Sequence, residues 1–494
     1  MSVAGAPSLL QATLPTWILL AGALLTALLG WRVERFPLWG HRVIGAVAGA
    51  AAIAAAVGAF HGVTPATQVA LSAGSGAVVA DRFSLFAVIL VCSVGMLAVL
   101  GSGTAAERLG ARMPGYHALL LTATAGGTVV ALQWEMGALV AGLALLIPSL
   151  VGMVALEKTT EGAGEAALAQ VAVGGLCLGI LLFGLSIVYG ATGTTDLAVA
   201  RTALAHASPP LEGLGLALTL LGLAFLVGAA PLHRGVLAVA RSSQGAVAGS
   251  VLGISVTAGG IVLVRVLVSG FTVSLRPWVV LAGVLALVAS LYPALVSLAT
   301  TSVRRVIGLG VSLQGGFLLM ALLGSGTGRD GRLEGGVEAL LFGLPVFVLS
   351  LMASLQALGI LEGDGVGGRV ADLRGLARRS PLAAGLLTLG LAGLAGLPPM
   401  AGFLGRILIV QSAVGGGYPW VAAGVLAASV IYAIPILRIL AAIFVEDDEE
   451  PALASGAPLL GLLTAGATAL LGVVAMVLAG PLTFAAHMAA VSLR

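Results

Sequence analysis

Lysine is almost absent from the sequence, with Lys158 as its single example, and only 9% of the 494 residues are charged. A water-soluble domain carries roughly 25% charged residues because its surface must be solvated. Two cysteines, Cys92 and Cys177, are too few for a disulfide framework, and no spacing of ligand residues predicts a metal site. The net charge of +3 is spread singly between apolar runs, which argues against a nucleic-acid partner.

The sequence is rich in apolar residues, which make up 59% of it, and it contains 72 glycines. The apolar runs repeatedly reach the roughly 20 residues needed to cross a hydrocarbon core of about 30 Å. The first run has no basic residue before it, so it lacks the start of a secretory signal and is expected to remain as a helix. The sequence therefore predicts an all-α integral membrane protein of about 14 transmembrane helices. The predicted spans lie near 14–30, 43–60, 83–101, 117–134, 136–156, 166–190, 211–231, 246–269, 277–301, 304–325, 336–360, 382–412, 418–443 and 457–480.

The loops between these spans differ in basic charge. Loops on one side hold fifteen Lys and Arg residues, and those on the other side hold six. Because basic loops stay in the cytoplasm, both termini are expected on the outer, periplasmic side.

Proline interrupts two spans. Pro231 ends the seventh span, and Pro398 and Pro399 interrupt the twelfth. Broken helices five spans apart are typical of a transporter with two inverted five-helix repeats. The alternative is that proline and glycine are simply commoner in membrane helices. The repeat interpretation divides the chain into an N-terminal three-helix segment (1–116), a first repeat (117–270), a second repeat (277–443) and a C-terminal helix (444–494).

The segment Gly396–Arg406, GLPPMAGFLGR, resembles the broken-helix signature of the antiporter-like subunits of complex I, membrane-bound hydrogenases and sodium/proton antiporters. Five other segments, in order, resemble subunit N of complex I type NADH:quinone oxidoreductases in particular. They are EAAL from Glu165, YGATGTTD from Tyr189, PLH from Pro231, RRVIG from Arg304 and DLRGLARRSP from Asp372.

The resemblance implies fourteen helices, two inverted five-helix repeats and proton half-channels that meet at a polar axis in mid-membrane. It implies a non-redox subunit that couples quinone reduction to proton translocation and holds no cofactor itself. NADH, FMN, iron–sulfur clusters and quinone would belong to partner subunits in a bacterial inner membrane. The alternatives are a non-conducting scaffold, or the equivalent subunit of a membrane hydrogenase or cation/proton antiporter.

The sequence departs from the family at the positions that carry protons. The family has a glutamate on helix five and lysines on helices seven, eight and twelve. The matching positions here are Ala144, Leu226, Val256 and Arg406, and Gln314 replaces a histidine often found after helix ten begins. Arginine keeps a charge but does not deprotonate in proteins, so it cannot shuttle protons.

Three residues remain as candidates for a proton path: His233, Arg406 and Glu135. His233 has an unperturbed pKa near 6.5, suited to a relay, but it could instead bind carbonyls freed by Pro231. Arg406 is expected to be buried rather than to extend its side chain to water. Glu135 could be only a loop acid. Arg265 is expected to be an anchor that reaches the membrane surface, and the acidic run 446–450 to be a solvated loop or a contact with a neighbouring subunit.

Overall fold

The computed structural model of the chain describes residues 8–32, 37–63, 69–73, 76–105, 109–158, 162–204, 209–271, 275–325, 335–444 and 459–493. The acidic run 446–450 lies outside these residues. The N-terminal segment consists of helices α1 (Leu9–Arg32), α2 (Leu38–His61) and α3 (Arg82–Gly101), with a short 3₁₀ turn at Ser102–Ala105.

A β-hairpin of two antiparallel strands, β1 (Val69–Ala73) and β2 (Gly76–Ala80), lies between α2 and α3, with Val69 opposite Ala80. The sequence analysis did not predict it, because apolar runs this short do not distinguish a strand from a helix end.

The range predicted for the first repeat covers α4 to α10, and the range predicted for the second covers α11 to α17. The first set is α4 (Met113–Leu132), α5 (Met136–Ala155), α6 (Ala163–Thr192), α7 (Leu197–Leu204), α8 (Pro209–Ala224), α9 (Arg234–Ser242) and α10 (Gly245–Leu263), which continues as a π-helix over Val264–Gly270. The second set is α11 (Leu275–Leu298), α12 (Val303–Leu323), α13 (Gly336–Gly363), α14 (Leu376–Arg379), α15 (Pro381–Ala395), α16 (Ala401–Gly415) and α17 (Pro419–Phe444). The chain ends with α18 (Leu459–Val477) and α19 (Ala479–Val491).

The described helices account for the predicted fourteen spans. Eleven are long and apolar enough to cross a membrane alone, and the pair α18–α19, bent by 84°, adds a twelfth. Two further spans are each made of two short helices separated by a break. They are α8 with α9, and α15 with α16, which brings the number of described spans to fourteen. The last span differs from the prediction: it was expected to end near 480, but after its bend it continues to Val491.

The second helix of each repeat begins with the same backbone motif. Glu135 caps α5 and forms a β-bridge with Asp196, and Ser302 caps α12 and forms a β-bridge with Arg369. Five spans separate α5 from α12, so the two motifs lie at opposite ends of the bundle, as the predicted inverted repeats require. The paired amide-to-carbonyl bonds are Met136 to Thr195 (2.9 Å) and Leu197 to Trp134 (2.8 Å), matched by Val303 to Gly368 (2.9 Å) and Val370 to Thr301 (2.9 Å).

The domain limits inferred from the sequence stay a prediction. Helix α4 begins at Met113, so the boundary at 116 falls within its first turn.

Helices α10 and α12 form the centre of the bundle, since every residue in the most apolar 18-residue stretch of each is buried inside the chain. Close contact depends on small residues: a Cβ at Gly245 of α10 would lie 2.0 Å from the carbonyl oxygen of Leu355 in α13. Membrane helices without a hydrophobic drive between them associate through such close backbone packing.

Candidate proton-path residues

Arg406 lies in the first turns of α16, directly after the break between α15 and α16, and only 7% of it is exposed. Its guanidinium donates to the carbonyl oxygen of Leu394 at 2.6 Å, to that of Ala395 and to the hydroxyl of Ser429. It also lies 5.0 Å from the centre of the Phe317 ring. The last carbonyls of a helix have no partner within it, so Arg406 binds groups that the break in the helix leaves unpaired.

The break around Arg406 requires glycine at one position. Gly396 adopts a left-handed conformation, with φ of +66°, and a Cβ there would lie 2.8 Å from Cδ of Arg406. The first repeat has the same feature, because Gly228, in the break between α8 and α9, has φ of +68°. The prolines that predicted the breaks, Pro231, Pro398 and Pro399, all lie in these non-helical segments.

Gln314 and Arg406 line one small cavity, together with Gly343, Phe347 and Leu394. Its volume of about 10 Å³ is roughly the space of one water molecule. The break in the second repeat therefore has two polar side chains at one cavity, a permanent charge and a neutral amide.

The matching part of the first repeat is apolar. Leu226 lies in the break after α8 and Val256 lies in α10, and both are buried. The hydroxyl of Ser255 donates to the carbonyl oxygen of Leu226 at 2.9 Å, so a neighbouring side chain already satisfies that backbone group. Ala144 lies on an exposed face of α5. None of these three side chains can carry a proton.

His233 is buried at the end of the first break, with 6% of its surface exposed. Its ring packs edge-on against Tyr292 of α11 with 5.1 Å between ring centres. Nδ1 is enclosed and has no hydrogen-bond partner among the described residues. The ring nevertheless interacts with the backbone of Pro231, as the alternative interpretation of this histidine expects.

Glu135 is half-buried and acts as the N-cap of α5. Its carboxylate accepts a hydrogen bond of 2.7 Å from the backbone N–H of Ala138. No hydrogen bond or ion pair within the described parts of the chain joins Glu135 to His233 or Arg406. The structure thus places the three candidates at separate positions, where their roles in a proton path stay a prediction.

The expectation that Arg265 reaches the membrane surface is wrong. Arg265 lies in the π-helical segment after α10, is 0% exposed and pairs with Asp81 at 3.2 Å. It also donates to the hydroxyl of Ser84 and to the carbonyl oxygen of Ala131, at 3.2 Å for the latter. The signal available in the sequence was the need of a buried arginine for a counter-charge, and Asp81 begins the third span.

A second buried arginine was also missed. Arg304, at the start of α12, forms an ion pair with Glu362 at the end of α13. It further donates to the carbonyl oxygens of Ala240, at 3.2 Å, and Ser243. This one side chain joins the second repeat to the turn between α9 and α10 of the first.

The sequence of this bundle matches a known family. Residues 136–432 match the transmembrane family described as "NADH:quinone oxidoreductase/Mrp antiporter", and they make up more than half of the chain. The chain belongs to this family of antiporter-like membrane subunits. This chain is 32% identical to NADH-quinone oxidoreductase subunit N of Moorella thermoacetica over 374 residues. The match covers 75% of this chain and 76% of the relative.

Solved structures share the fold of the antiporter-like subunit. A chain of respiratory complex I from Thermus thermophilus has a TM-score of 0.78 and 24% identity, covering 95% of this chain and 98% of that one. A chain of the membrane-bound sulfane sulfur reductase, an archaeal respiratory membrane complex, has a TM-score of 0.85 and 22% identity, covering 98% and 97%. Both confirm the multi-pass helical fold.

Proposed function

We propose that the antiporter-like subunit is the subunit N-type component of a proton-translocating NADH:quinone oxidoreductase in a bacterial inner membrane. The observation that carries the proposal is the similarity to bacterial subunit N over three-quarters of the chain. Both termini face the periplasm in this arrangement, as the basic loops require. The chain itself carries no redox chemistry, and NADH, FMN, iron–sulfur clusters and quinone bind to partner subunits.

The subunit contributes to translocation without the mid-membrane lysines of its family. Arg406 supplies a permanent positive charge where the family has a lysine, and its donors are engaged by Leu394, Ala395 and Ser429. Because a guanidinium keeps its proton in proteins, protons pass by other groups and by water.

A non-conducting scaffold is the second candidate function. It is supported by Leu226 and Val256, which are buried and apolar where the first repeat needs a protonatable group. A scaffold predicts that no substitution of a buried polar residue in this chain changes the number of protons moved per NADH.

Affinity purification of the tagged chain, followed by an assay of NADH:quinone activity, tests the proposed assembly. Copurification of NADH:quinone activity with the chain is the expected result. Copurification of hydrogenase or sodium/proton antiport activity in its place would contradict the proposal. The fold alone does not separate these machines, because the sulfane sulfur reductase chain has a TM-score of 0.85 and the complex I chain one of 0.78.

A further inference from the structure

A groove of about 520 Å³ lies on the outside of the first repeat, between the first half of α6 and the short helix α9. Its walls are alanine, valine and leucine side chains of these two helices. Three charged side chains, Glu165, Arg234 and Arg241, line the same groove. The groove therefore combines apolar walls with charges of both signs.

The two arginines lie on one face of α9. They are seven residues apart, which is nearly two helical turns and about 10.5 Å along the axis. Arg234, Arg241 and Glu165 are all exposed. Within the described part of the chain, none of these three side chains has a hydrogen bond or an ion pair. Their charges are therefore free to bind a molecule from outside the chain.

The groove extends from the end of the bundle into the membrane. At its mouth, a Cβ at Gly162 would lie 3.1 Å from the hydroxyl oxygen of Ser242, the last residue of α9. Further in, a Cβ at Gly235 would lie 3.6 Å from Cα of Gln170 in α6. Gln170 is eight residues beyond Gly162, so this level is about 12 Å from the mouth. Arg234 thus lies at a depth where the exposed face of α6 is apolar.

An exposed arginine at apolar depth needs a partner, because a charge in contact with hydrocarbon is costly. Arg241, at the mouth, can reach water with its long side chain, but Arg234 starts about two turns deeper. Guanidinium groups bind phosphate through paired hydrogen bonds, and a phosphate placed between the two arginines can accept from both.

Glu165 adds a second requirement for the ligand. It lies in the first turn of α6, at the same end of the groove as Arg241. Its carboxylate calls for a positive group, since an anionic ligand alone would leave it unpaired and repelled. A free phosphate ion also has no apolar part to cover the alanine and valine walls. The ligand that meets all three conditions has a phosphate, an ammonium group and hydrocarbon chains.

We propose that the groove between α6 and α9 binds an aminophospholipid of the phosphatidylethanolamine type. Arg234 and Arg241 hold its phosphate, Glu165 accepts hydrogen bonds from its ammonium group, and an acyl chain covers the apolar walls. Basic pockets between membrane helices bind lipid headgroups in this way. The assignment to the cytoplasmic leaflet rests on the proposed orientation, whereas the contacts require only that the chain spans a membrane.

Photolabelling of the intact purified complex tests the site. The complex is placed in nanodiscs of equal parts phosphatidylethanolamine and phosphatidylglycerol, with a trace of one lipid carrying a diazirine on an acyl carbon next to the glycerol. Mass spectrometry then identifies the labelled peptides. We expect photoreactive phosphatidylethanolamine to label peptides from 165–173 and 234–242 more strongly than photoreactive phosphatidylglycerol does. Equal labelling by the two lipids, or no labelling of these peptides, would overturn the proposal.

Three variants assign the roles of the charges. Arg234→Gln and Arg241→Gln should each lower the labelling by about fivefold. Glu165→Gln should keep the labelling but remove the preference for phosphatidylethanolamine. Arg438→Gln is the matched control, because Arg438 is an exposed arginine outside the groove that already binds the carbonyl oxygen of Leu298. Undiminished labelling of the double variant Arg234→Gln/Arg241→Gln, at an unchanged unfolding temperature, would show that these arginines do not hold the lipid.

Other occupants give different results. Excess inorganic phosphate should leave the labelling unchanged, and displacement of the lipid would assign the groove to a free ion. Absence of lipid label together with chemical cross-links from α9 to a partner subunit would assign it to a protein segment instead. Because labelling needs no turnover, a purified complex without NADH:quinone activity would contradict the proposed function, while the labelled peptides would still decide this site.

Discussion

The guanidinium of Arg406 donates a hydrogen bond of 2.6 Å to the carbonyl oxygen of Leu394, across the break in the twelfth span. The same side chain also donates to the carbonyl oxygen of Ala395 and to the hydroxyl of Ser429. Arg406 at the start of α16 therefore pairs the free carbonyl groups at the end of α15. Arg406 is in this account a fixed charge that stabilises the break.

Replacement of Arg406 by leucine should destabilise the protein by on the order of 3 kcal/mol, because it removes charge-assisted hydrogen bonds and leaves buried carbonyls unpaired. Arg406→Lys should cost less, since one ammonium retains part of these bonds but lacks the planar fork. Thermal unfolding in detergent gives the comparison. Arg438→Leu is the control, because Arg438 is exposed and binds only the carbonyl oxygen of Leu298, at 2.9 Å, among the described residues. Equal stability of the Arg406 and Arg438 variants would contradict the role in the break.

Because Asp81 and Arg265 form a buried ion pair, we expect the effects of their substitutions on stability to be strongly coupled. Asp81→Leu leaves an uncompensated guanidinium in the interior and should cost about 3–5 kcal/mol. The double variant Asp81→Leu/Arg265→Leu should recover part of that loss, because neither charge remains. Membrane abundance and unfolding temperature of the three variants measure the coupling. Additive losses in the double variant would show that the two side chains act independently.

Because the Arg304 side chain connects the two repeats, its loss is expected to lower the stability of the protein. Arg304→Gln removes the ion pair with Glu362 and the bonds to Ala240 and Ser243, and should lower stability by about 2–4 kcal/mol. Arg305→Gln, one residue further along the same helix, is the matched control and should cost less than 1 kcal/mol. Limited proteolysis of the turn between α9 and α10 gives a second readout. Equal losses in the two variants would refute the bridging role.

Two substitutions of Glu135 distinguish its role as the cap of α5 from a role in carrying protons. Glu135→Gln keeps an oxygen that can accept from Ala138, so stability and proton translocation should both stay near wild type. Glu135→Ala removes the cap and should cost about 0.5–2 kcal/mol. Both are measured by unfolding and by proton uptake in inverted vesicles. Loss of pumping in the stable Gln variant would assign Glu135 to the proton path.

The general fold could be predicted from the sequence because lipid imposes strong rules. A chain needs an apolar run of about 20 residues for each crossing of the bilayer, so the fourteen spans follow from the hydropathy pattern. Proline at 231, 398 and 399 locates both breaks, and their separation by five spans predicts the inverted repeats that the paired motifs at Glu135 and Ser302 display.

The polar interior could not be predicted to the same degree, because its contacts join residues far apart in the chain. Arg265 lies 184 positions from Asp81, and only the packing of α3 against α10 brings them together. The bend between α18 and α19 is marked in the sequence by Pro481, which has no N–H to bond to Val477, but the sequence did not show that the helix resumes after it.

The most direct test of the fixed-charge account is the number of protons taken up per NADH oxidised by inverted vesicles that contain the whole complex, measured for wild type and Arg406→Gln. The account predicts an unchanged ratio in the fraction of the variant that assembles, because Arg406 stabilises the break but carries no proton. A lower ratio in a fully assembled complex with normal NADH oxidation would contradict it and would place Arg406 on the proton path.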